Sequence, residues 1–415
     1  MPEVTQLTHE QHGHSMHHNG AISSDGNWIV FDYRNDDTHI GRTGTIAVLD
    51  RRTGSQFPIY QTLGQSIYGP GVGAASFNPC ANQVVFIHGL LDADKENPYD
   101  ITRRTAVIVD LENKMQATYV DSRDLVAPYA AGSLRGGTHS HMWSPDGRLL
   151  SFTYNDELVD PQLRVVGLMF PVKQQNLVED RSGNVQGTYY AVIVSDVTES
   201  PQPGSDEINK AFDECWVKSS LKDGDTYRIA FQGNTVNASG VIITEIFLVD
   251  VDLNLAFKDK SAVGVEGERP KVPQGIQQKR LSRSPKGLSN LRHWLRASPD
   301  GKSIYALAKD QLDKNQIVQC NTDTGELSFV SNFDFSVASP INIDASGEWI
   351  TFTADNNLYV FQIHTKELLK LTDRDVSEGQ LVGAPLFDVG GRRILYNQFI
   401  KGKDGEFIQI KMANY

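Results

Sequence analysis

One stretch reads Pro145-Asp146-Gly147-Arg148-Leu149-Leu150-Ser151-Phe152, a tight turn followed at once by a short apolar strand. Asp-Gly supplies the positive φ that a hairpin turn needs, and large apolar residues suit a half-buried, pleated strand. Six further copies of this signature occur, some of them degenerate, so that there are seven in all. They join Ser24-Asp25-Gly26 to Trp28-Ile29-Val30-Phe31, Asn78-Pro79-Cys80-Ala81 to Val84-Val85-Phe86, Asp223-Gly224 to Tyr227-Arg228-Ile229-Ala230-Phe231, Pro299-Asp300-Gly301 to Ser303-Ile304-Tyr305-Ala306, Ser346-Gly347 to Trp349-Ile350-Thr351-Phe352, and Gly390-Gly391 to Arg393-Ile394-Leu395-Tyr396.

A further strand follows each copy, and some repeats then show an outer strand such as Lys279-Arg280-Leu281-Ser282. The N-terminal Thr5-Gln6-Leu7-Thr8 has the same form but precedes the first inner strand, while the last repeat has no outer strand of its own. We therefore predict an all-β fold, a seven-bladed β-propeller in which residues 4–8 complete the last blade and close the ring. A β-sandwich with similar turns is the alternative.

The domain organisation predicted from this repeat is a single propeller domain over residues 1–415. An irregular stretch at about 157–222 interrupts the pattern between the third and fourth blades. We interpret it as an insertion on one face, with Ser205 as the N-cap of a helix over residues 206–216. A plain long connection is the other interpretation.

Bulk composition narrows the choice of partners. The 415 residues include 39 Lys and Arg against 51 Asp and Glu, a formal net charge of -12 at pH 7, which argues against nonspecific nucleic-acid binding. A local cationic cleft on an acidic protein can still bind an anion. Neither a membrane-spanning run nor a signal peptide is visible, so we expect a cytoplasmic monomer, or a periplasmic or secreted one if a leader was removed. The three scattered cysteines predict neither disulfides nor a zinc ribbon.

A register argument predicts a site on the propeller axis. The strand before each turn should be the innermost one, so that counting back eight residues from the turn glycine reaches equivalent positions at the channel mouth. This count gives His18, His139 and His293 on the first, third and fifth blades, and Gly73, Trp216, Ser339 and Gly383 on the others. Three imidazoles meeting on the axis could bind a divalent metal or act as acid and base near neutral pH. The alternative is that each histidine forms a hydrogen bond with a neighbouring blade.

Other candidates lie close to these histidines in the sequence. His141 follows His139 by two residues and should face the same side of its strand. Arg135 leads into that strand and Arg292 adjoins His293, so both are candidates for binding a substrate anion. His88 ends a second strand and Tyr189 begins a strand after the irregular stretch. No motif of a nucleotide or other organic cofactor is present.

Several long phrases resemble an uncharacterised family of bacterial seven-bladed propeller proteins, and the resemblance covers nearly the whole chain. More distantly, the architecture is similar to that of the oligogalacturonate lyases and the propeller-type ulvan lyases. By that resemblance His139, His141, His88, Tyr189 and Arg135 are the corresponding kinds of residue. The phrases are Phe86-Ile87-His88-Gly89, Leu134-Arg135-Gly136-Gly137-Thr138-His139-Ser140-His141, Ser151-Phe152-Thr153-Tyr154-Asn155-Asp156, Pro201-Gln202-Pro203-Gly204-Ser205-Asp206-Glu207-Ile208-Asn209 and Arg292-His293-Trp294.

The resemblance implies a lyase that cleaves an anionic oligo- or polysaccharide of the ulvan or pectin type beside a uronic acid by β-elimination. His139, His88 or Tyr189 would remove the C5 proton, while Arg135, Arg292, His141 or a metal on His18, His139 and His293 would bind the substrate carboxylate. The alternative is a non-catalytic propeller that binds a glycan or a protein at its channel mouth. A glycoside hydrolase needs two facing carboxylates, which the register positions do not supply.

Overall fold

The structure is a computed structural model that describes residues 2–36, 38–113, 115–173, 177–219, 224–390 and 392–415. Its strands form seven antiparallel sheets that follow one another along the chain as the seven blades of a β-propeller. The predicted fold class is therefore confirmed. Within the described residues, no helix is long and apolar enough to cross a membrane.

The first three blades are built in chain order from the axis outward. In blade one, residues 15–22 take the innermost place and contact the sheet through the bridges Ser15↔Asp32 and Ile22↔Ile29. The strands of these blades are β2 (Trp28–Asp32), β3 (Thr45–Asp50) and β4 (Gln56–Gln61) in blade one, β5 (Val72–Phe77), β6 (Gln83–Gly89), β7 (Arg104–Asp110) and β8 (Gln116–Tyr119) in blade two, and β11 (Gly136–Trp143), β12 (Leu150–Asp156), β13 (Arg164–Pro171) and β14 (Tyr189–Ile193) in blade three.

The remaining blades repeat the same order. They contain β15 (Ile208–Val217), β16 (Thr226–Val236), β17 (Ile242–Asp252) and β18 (Gln278–Arg280) in blade four, β19 (Arg296–Ala297), β20 (Ser303–Lys309), β21 (Asn315–Asn321) and β22 (Leu327–Phe329) in blade five, β23 (Asn342–Ile343), β24 (Trp349–Ala354), β25 (Asn357–Gln362) and β26 (Leu368–Lys370) in blade six, and β27 (Leu381–Phe387), β28 (Arg393–Lys401), β29 (Glu406–Asn414) and β1 (Val4–Gln6) in blade seven.

Short elements join the blades. A two-stranded parallel sheet lies between blades two and three, and a helical excursion separates β17 from β18. These elements are β9 (Ser122–Arg123), β10 (Ser133–Leu134), the helix α1 (Leu253–Lys258) and the 3-10 helices Ile40–Arg42, Lys260–Val263 and Val376–Glu378.

The ring closes as predicted. β1 pairs antiparallel with β29, with Val4 opposite Ala413, so the N-terminal strand becomes the outermost strand of blade seven. The backbone N–H of Met16 also donates to the side-chain oxygen of Asn397, which joins blade one to blade seven on the inner side. These contacts leave neither terminal blade with an unpaired edge at the seam.

The recurring turns owe their shape to a serine and an aspartate. In blade three Ser144 Oγ donates to Asp146 Oδ1 at 2.5 Å and accepts from the N–H of Leu149 at 2.9 Å, while Gly147 adopts a φ of 69°. The blade-one and blade-five turns repeat these contacts at the equivalent residues. Asp223 and Gly391, which belong to two of the predicted turns, lie outside the described residues.

A buried aromatic ring recurs at one position of the second strand in six blades, and an alanine takes that place in blade five. Each ring packs between neighbouring sheets, where large apolar surfaces contribute most to stability. The residues are Phe31, Phe86, Phe152, Phe231, Phe352 and Tyr396, with Ala306 in blade five.

The stretch at about 157–222 differs from the prediction. It contains β13 and β14, which are the third and fourth strands of blade three, and β15, the innermost strand of blade four. The predicted helix over residues 206–216 is wrong, because this segment pairs with β16 along its length and Ser205 Oγ instead donates to the carbonyl of Gln202 in a turn. Residues 174–176 and 220–222 of the stretch lie outside the described part of the chain. The hydrogen bonds and packing of the sheet therefore determine the conformation of this segment, and the capping pattern at Ser205 does not.

Candidate active site

A cavity of about 450 Å³ opens on the propeller axis at the end of the ring opposite the Asp-Gly turns. Six of the seven blades contribute to its wall, so it is an axial site rather than a gap between two sheets. We call it the axial pocket. It is lined by Met16, His17, His18, Arg34, Thr38, Ile40, Ala74, Ile87, Ile101, Arg104, His139, Ser140, Arg164, Leu291, Arg292, Trp294, Pro340, Gly383 and Ala384.

A β-bulge brings His139 to the pocket wall. In β11 the pairing with β12 shifts between His139 and Met142, and Ser140 adopts a φ of 56°. A regular strand would send His139 and Ser140 to opposite faces, whereas both line the pocket. Ala74 lies in an equivalent bulge of blade two, with a φ of 57°.

His139 is the residue of the predicted set that is best placed to move a proton. It is only 7% exposed, and its Nδ1 has no hydrogen-bond partner among the described residues. Burial, and then the charges of Arg104 and Arg164, lower the pKa of His139 well below its usual value. The imidazole is therefore neutral near pH 7, with a lone pair on one ring nitrogen.

Four arginines line the pocket around this histidine, although the chain as a whole is acidic. Arg34 forms a bidentate ion pair with Asp32, with its Nε 2.7 Å from Oδ1, and Arg292 lies over the ring of Trp294 at 4.6 Å. Arg104 and Arg164 instead donate to uncharged oxygens, those of the Tyr99 hydroxyl at 3.2 Å and the Asn155 amide at 3.1 Å.

For Arg104 and Arg164, no carboxylate of the described residues lies within ion-pair distance. Burial, with the charge of Arg104, lowers the pKa of Arg164 to about 10, which still leaves it cationic near pH 7. Asp213 offsets part of the positive charge of Arg164, and an anionic ligand would offset more of the charge that the two guanidinium groups bring to the pocket wall. The pocket is therefore electrostatically suited to an anion.

His18 also lines the pocket, and its hydrogen bond with Arg296 determines its tautomer. Arg296 Nη2 lies 3.1 Å from His18 Nδ1, and a guanidinium can only donate. Nδ1 must therefore be the acceptor, so the proton of the neutral ring is on Nε2. The ring also stacks on Trp294, with centroids 3.6 Å apart.

The structure does not bring the three predicted metal ligands His18, His139 and His293 together, because only His18 and His139 line the axial pocket. His293 is fully buried, with Nδ1 2.6 Å from the carbonyl of Leu291 and Nε2 accepting from the N–H of Leu307 at 3.0 Å. Its lone pair is therefore used inside blade five, and that of His18 is used by Arg296. Within the described residues, no group of three His, Cys, Asp or Glu side chains could hold an ion.

Three other predicted residues lie away from the pocket. Ile87 lines it, so its strand neighbour His88 faces the other side, where its Nε2 is 2.8 Å from the hydroxyl of Tyr60. Tyr189 is in the outermost strand of blade three. Arg135 is fully buried, and its Nη1 and Nη2 donate to the carbonyls of Val263 and Glu268 at 2.6 and 2.7 Å. Arg135 therefore stabilises the segment between β17 and β18 of blade four and does not reach the axial pocket.

His141 lies behind the pocket rather than in its wall. Its Nε2 is 3.0 Å from Thr138 Oγ1, and that hydroxyl donates to Asp121 Oδ2 at 3.0 Å. Burial, with the charges of Arg104 and His17, lowers the pKa of His141 to about 3. His141 is therefore neutral and has a supporting position beside the site, not the predicted role of binding substrate directly.

Replacing Arg135 by methionine should destabilise the fold without changing the axial pocket. The substitution leaves Asp156, whose Oδ2 is 3.5 Å from Arg135 Nε, as a buried carboxylate without its cation. We expect a loss of about 3–5 kcal/mol in the free energy of unfolding, measured by urea denaturation. The control is Arg148→Met at an exposed turn position, which should change stability by less than about 0.5 kcal/mol. Equal stability of the two variants would contradict this structural role.

Two acidic residues of blade four, Asp213 and Glu214, lie within electrostatic range of the pocket arginine Arg164. Burial raises the pKa of Asp213 to about 6, although Arg292 and Arg164 act in the opposite direction. Burial raises the pKa of Glu214 to about 8, and its Oε1 accepts from Ser151 Oγ at 3.1 Å. Glu214 is therefore largely protonated near pH 7, whereas Asp213 keeps a minor protonated fraction.

Glu214 should make stability fall as the pH rises. In the unfolded chain it loses its proton near pH 4.5, whereas the folded protein retains it up to about pH 8. Between these values the folded state binds more protons, so the free energy of unfolding decreases with pH. Glu214→Gln should match the wild type near pH 4.5 and be more stable at pH 8, by about 1–3 kcal/mol. Parallel pH profiles of the two proteins in thermal or urea unfolding would show that Glu214 ionises normally.

The sequence argument missed Arg34, Arg104 and Arg164. Arg34 follows the end of the second strand of its blade, and Arg104 and Arg164 begin the third strands of theirs. The count from the turn glycine covers only the innermost strand and so did not reach these positions. The available signal was that a basic residue begins the third strand in both blade two and blade three. The count also failed in blade four, where Trp216 pairs with Ile229 as Trp143 pairs with Leu150, because more residues separate the paired positions there.

The chain matches known proteins at two levels. A family described as "Protein of unknown function (DUF3748)" matches residues 71–181. The "Uncharacterized protein YidR" of Escherichia coli (strain K12) is 33% identical over 385 residues, which cover 89% of each chain. The predicted membership of an uncharacterised bacterial propeller family is confirmed.

Solved structures share the fold at low identity. An oligogalacturonate lyase in complex with manganese is 12% identical with a TM-score of 0.57, and an oligogalacturonate lyase from Vibrio parahaemolyticus is 14% identical with a TM-score of 0.56. Each match covers 100% of this chain and 93% of the other. These likenesses show the fold, whereas the identity to YidR extends over most of both chains. The chain therefore belongs to the YidR family, with its DUF3748 region at residues 71–181.

Proposed function

We propose that this protein is a lyase that cleaves an anionic oligo- or polysaccharide beside a uronic acid by β-elimination. The observation that carries the proposal is that Arg104 and Arg164 line the same pocket as His139, and neither guanidinium forms an ion pair with a carboxylate of the described residues. The likeness to oligogalacturonate lyases supports the class of substrate.

The first step removes the C5 proton of the uronate. Arg104 and Arg164 would bind the substrate carboxylate and stabilise the enolate-like charge that develops on it. His139 would accept the proton on its unprotonated ring nitrogen, because the ring is neutral and lines the pocket. The electron pair of the C5–H bond then forms the C4=C5 double bond.

The second step expels the O4 substituent. The C4–O4 bond breaks, its electrons go to O4, and O4 takes up a proton. Asp213 is our candidate donor, because its pKa of about 6 leaves a protonated fraction and Arg164 and Arg292 both act on it. The reaction needs no oxidant or reductant. No step is assigned to a metal, because the lone pairs of His18 and His293 are already used by Arg296 and by the backbone of Leu307.

The test is incubation with polygalacturonate, short oligogalacturonides, ulvan and glycosaminoglycans, followed by ultraviolet absorbance of the unsaturated product. We expect a time-dependent increase with at least one of these substrates. Saturable binding of a glycan without any unsaturated product across the panel would favour the non-catalytic propeller instead.

A further inference from the structure

A second cavity, of about 310 Å³, lies at the other end of the axis, beside the turns. The last residues of the innermost strands in blades two to six form most of its wall. We call it the turn-side pocket. It is lined by Asn19, Gly20, Ser76, Phe77, Pro79, Met142, Trp143, Pro145, Cys215, Trp216, Arg296, Ala297, Asn342 and Ile343.

Arg296 lines the turn-side pocket but not the axial pocket, and it is a buried cation without an ion pair to any described carboxylate. Its Nε donates to Asn342 Oδ1 at 2.6 Å, Nη1 to the carbonyl of Leu295 at 3.0 Å, and Nη2 to His18 Nδ1 and to the carbonyl of His18 at 3.1 Å. A guanidinium has five N–H donors, so one on Nη1 remains for a ligand. All these acceptors are neutral, and Asp213, which acts on Arg296 from beyond ion-pair distance, offsets its positive charge only in part.

Two more polar atoms in the same wall have no hydrogen-bond partner among the described residues. They are Ser76 Oγ, in a residue that is 3% exposed, and Trp143 Nε1, in a residue that is 8% exposed. A buried polar group without a partner is costly, and both of these atoms can donate. The wall between them is largely apolar, with the Trp216 ring and Phe77.

We propose that the turn-side pocket is a second ligand site, which binds a small organic carboxylate. The carboxylate would accept hydrogen bonds from Arg296, Ser76 and Trp143, and its apolar body would lie against the aromatic wall. The cavity volume is at the lower end of the range for small-molecule sites, which fits a ligand with a single ring. This site is separate from the axial pocket and does not depend on the lyase activity.

The test is isothermal titration calorimetry of the full chain with benzoate, with uncharged benzyl alcohol and with inorganic phosphate. We expect saturable binding of benzoate and at least about tenfold weaker binding of benzyl alcohol. Ser76→Ala and Trp143→Phe should each weaken benzoate about tenfold, since each removes one donor but little volume. Arg164→Gln, which changes only the axial pocket, should leave benzoate binding unchanged.

Four results would overturn the proposal. They are no saturable binding of benzoate, equal affinity for benzyl alcohol, binding of phosphate in preference to benzoate, and loss of benzoate binding in Arg164→Gln but not in Ser76→Ala or Trp143→Phe. The last result would place the carboxylate in the axial pocket. Thermal melting of each variant confirms that it is folded.

Discussion

Replacing His139 by glutamine is expected to lower kcat for an anionic oligosaccharide by about 10²–10⁴-fold while the protein still binds it. Glutamine keeps a polar side chain of similar reach but cannot accept the C5 proton. The arginines that bind the carboxylate remain, so KM should change much less than kcat. Initial rates of unsaturated-product formation across a range of substrate concentrations separate the two quantities.

The matched control for this variant is His364→Gln, because His364 is an exposed histidine in blade six, away from both pockets. It should have the kinetics of the wild type. A His139→Gln enzyme with unchanged kcat would remove His139 from the reaction. A loss of binding together with the loss of kcat would make it a residue that holds the substrate instead of a base.

Replacing Arg104 or Arg164 by glutamine is expected to reduce kcat/KM by about tenfold to a hundredfold in each case. Each guanidinium would make a charge-assisted hydrogen bond to the substrate carboxylate, which glutamine replaces with a weaker, uncharged one. Because both act on the same carboxylate, the double variant should lose less than the product of the two single effects.

Comparing a substrate with a free carboxylate and the same substrate with a methyl-esterified carboxylate tests whether the two arginines recognise the carboxylate charge. The wild type should strongly prefer the free acid, and the double variant should lose most of that preference. Arg283→Gln is the control, since Arg283 is an exposed arginine paired with Asp206 on blade four. An unchanged preference for the free acid in the double variant would show that other groups bind the carboxylate.

The fold followed from the sequence because its signals are local. A turn such as Ser144 to Gly147 makes its hydrogen bonds within a few residues, so the same residue types produce the same hairpin wherever they occur. The closing strand was recognisable because its Leu-Thr ending repeats that of other outer strands. The strand at Arg164–Pro171 and the strand in place of the predicted helix pair with the adjacent strands β12 and β16 of their own blades, and the irregular pattern of residues 157–222 did not reveal that pairing.

The site was only partly predictable, because side chains alternate only along a regular strand, whereas His139 precedes a bulge and His293 lies before the strand of its blade begins. His18 and His139 line the axial pocket as the register predicted, whereas His293 at the same count is turned into blade five. The bulge at Ser140 could not be read from the sequence. Arg135 appeared suited to a substrate because it precedes His139, yet its partners are carbonyls more than a hundred residues away in the chain.

The most direct test of the central claim is to analyse the products of an acidic oligosaccharide treated in water labelled with heavy oxygen. Elimination at the axial pocket predicts an unsaturated uronate at the new end and, beyond the exchange that the reducing end of an uncleaved control shows, no oxygen from the solvent in either product. His139→Gln should form these products about 10²–10⁴-fold more slowly. A saturated product that carries the heavy oxygen would indicate hydrolysis and would contradict the account.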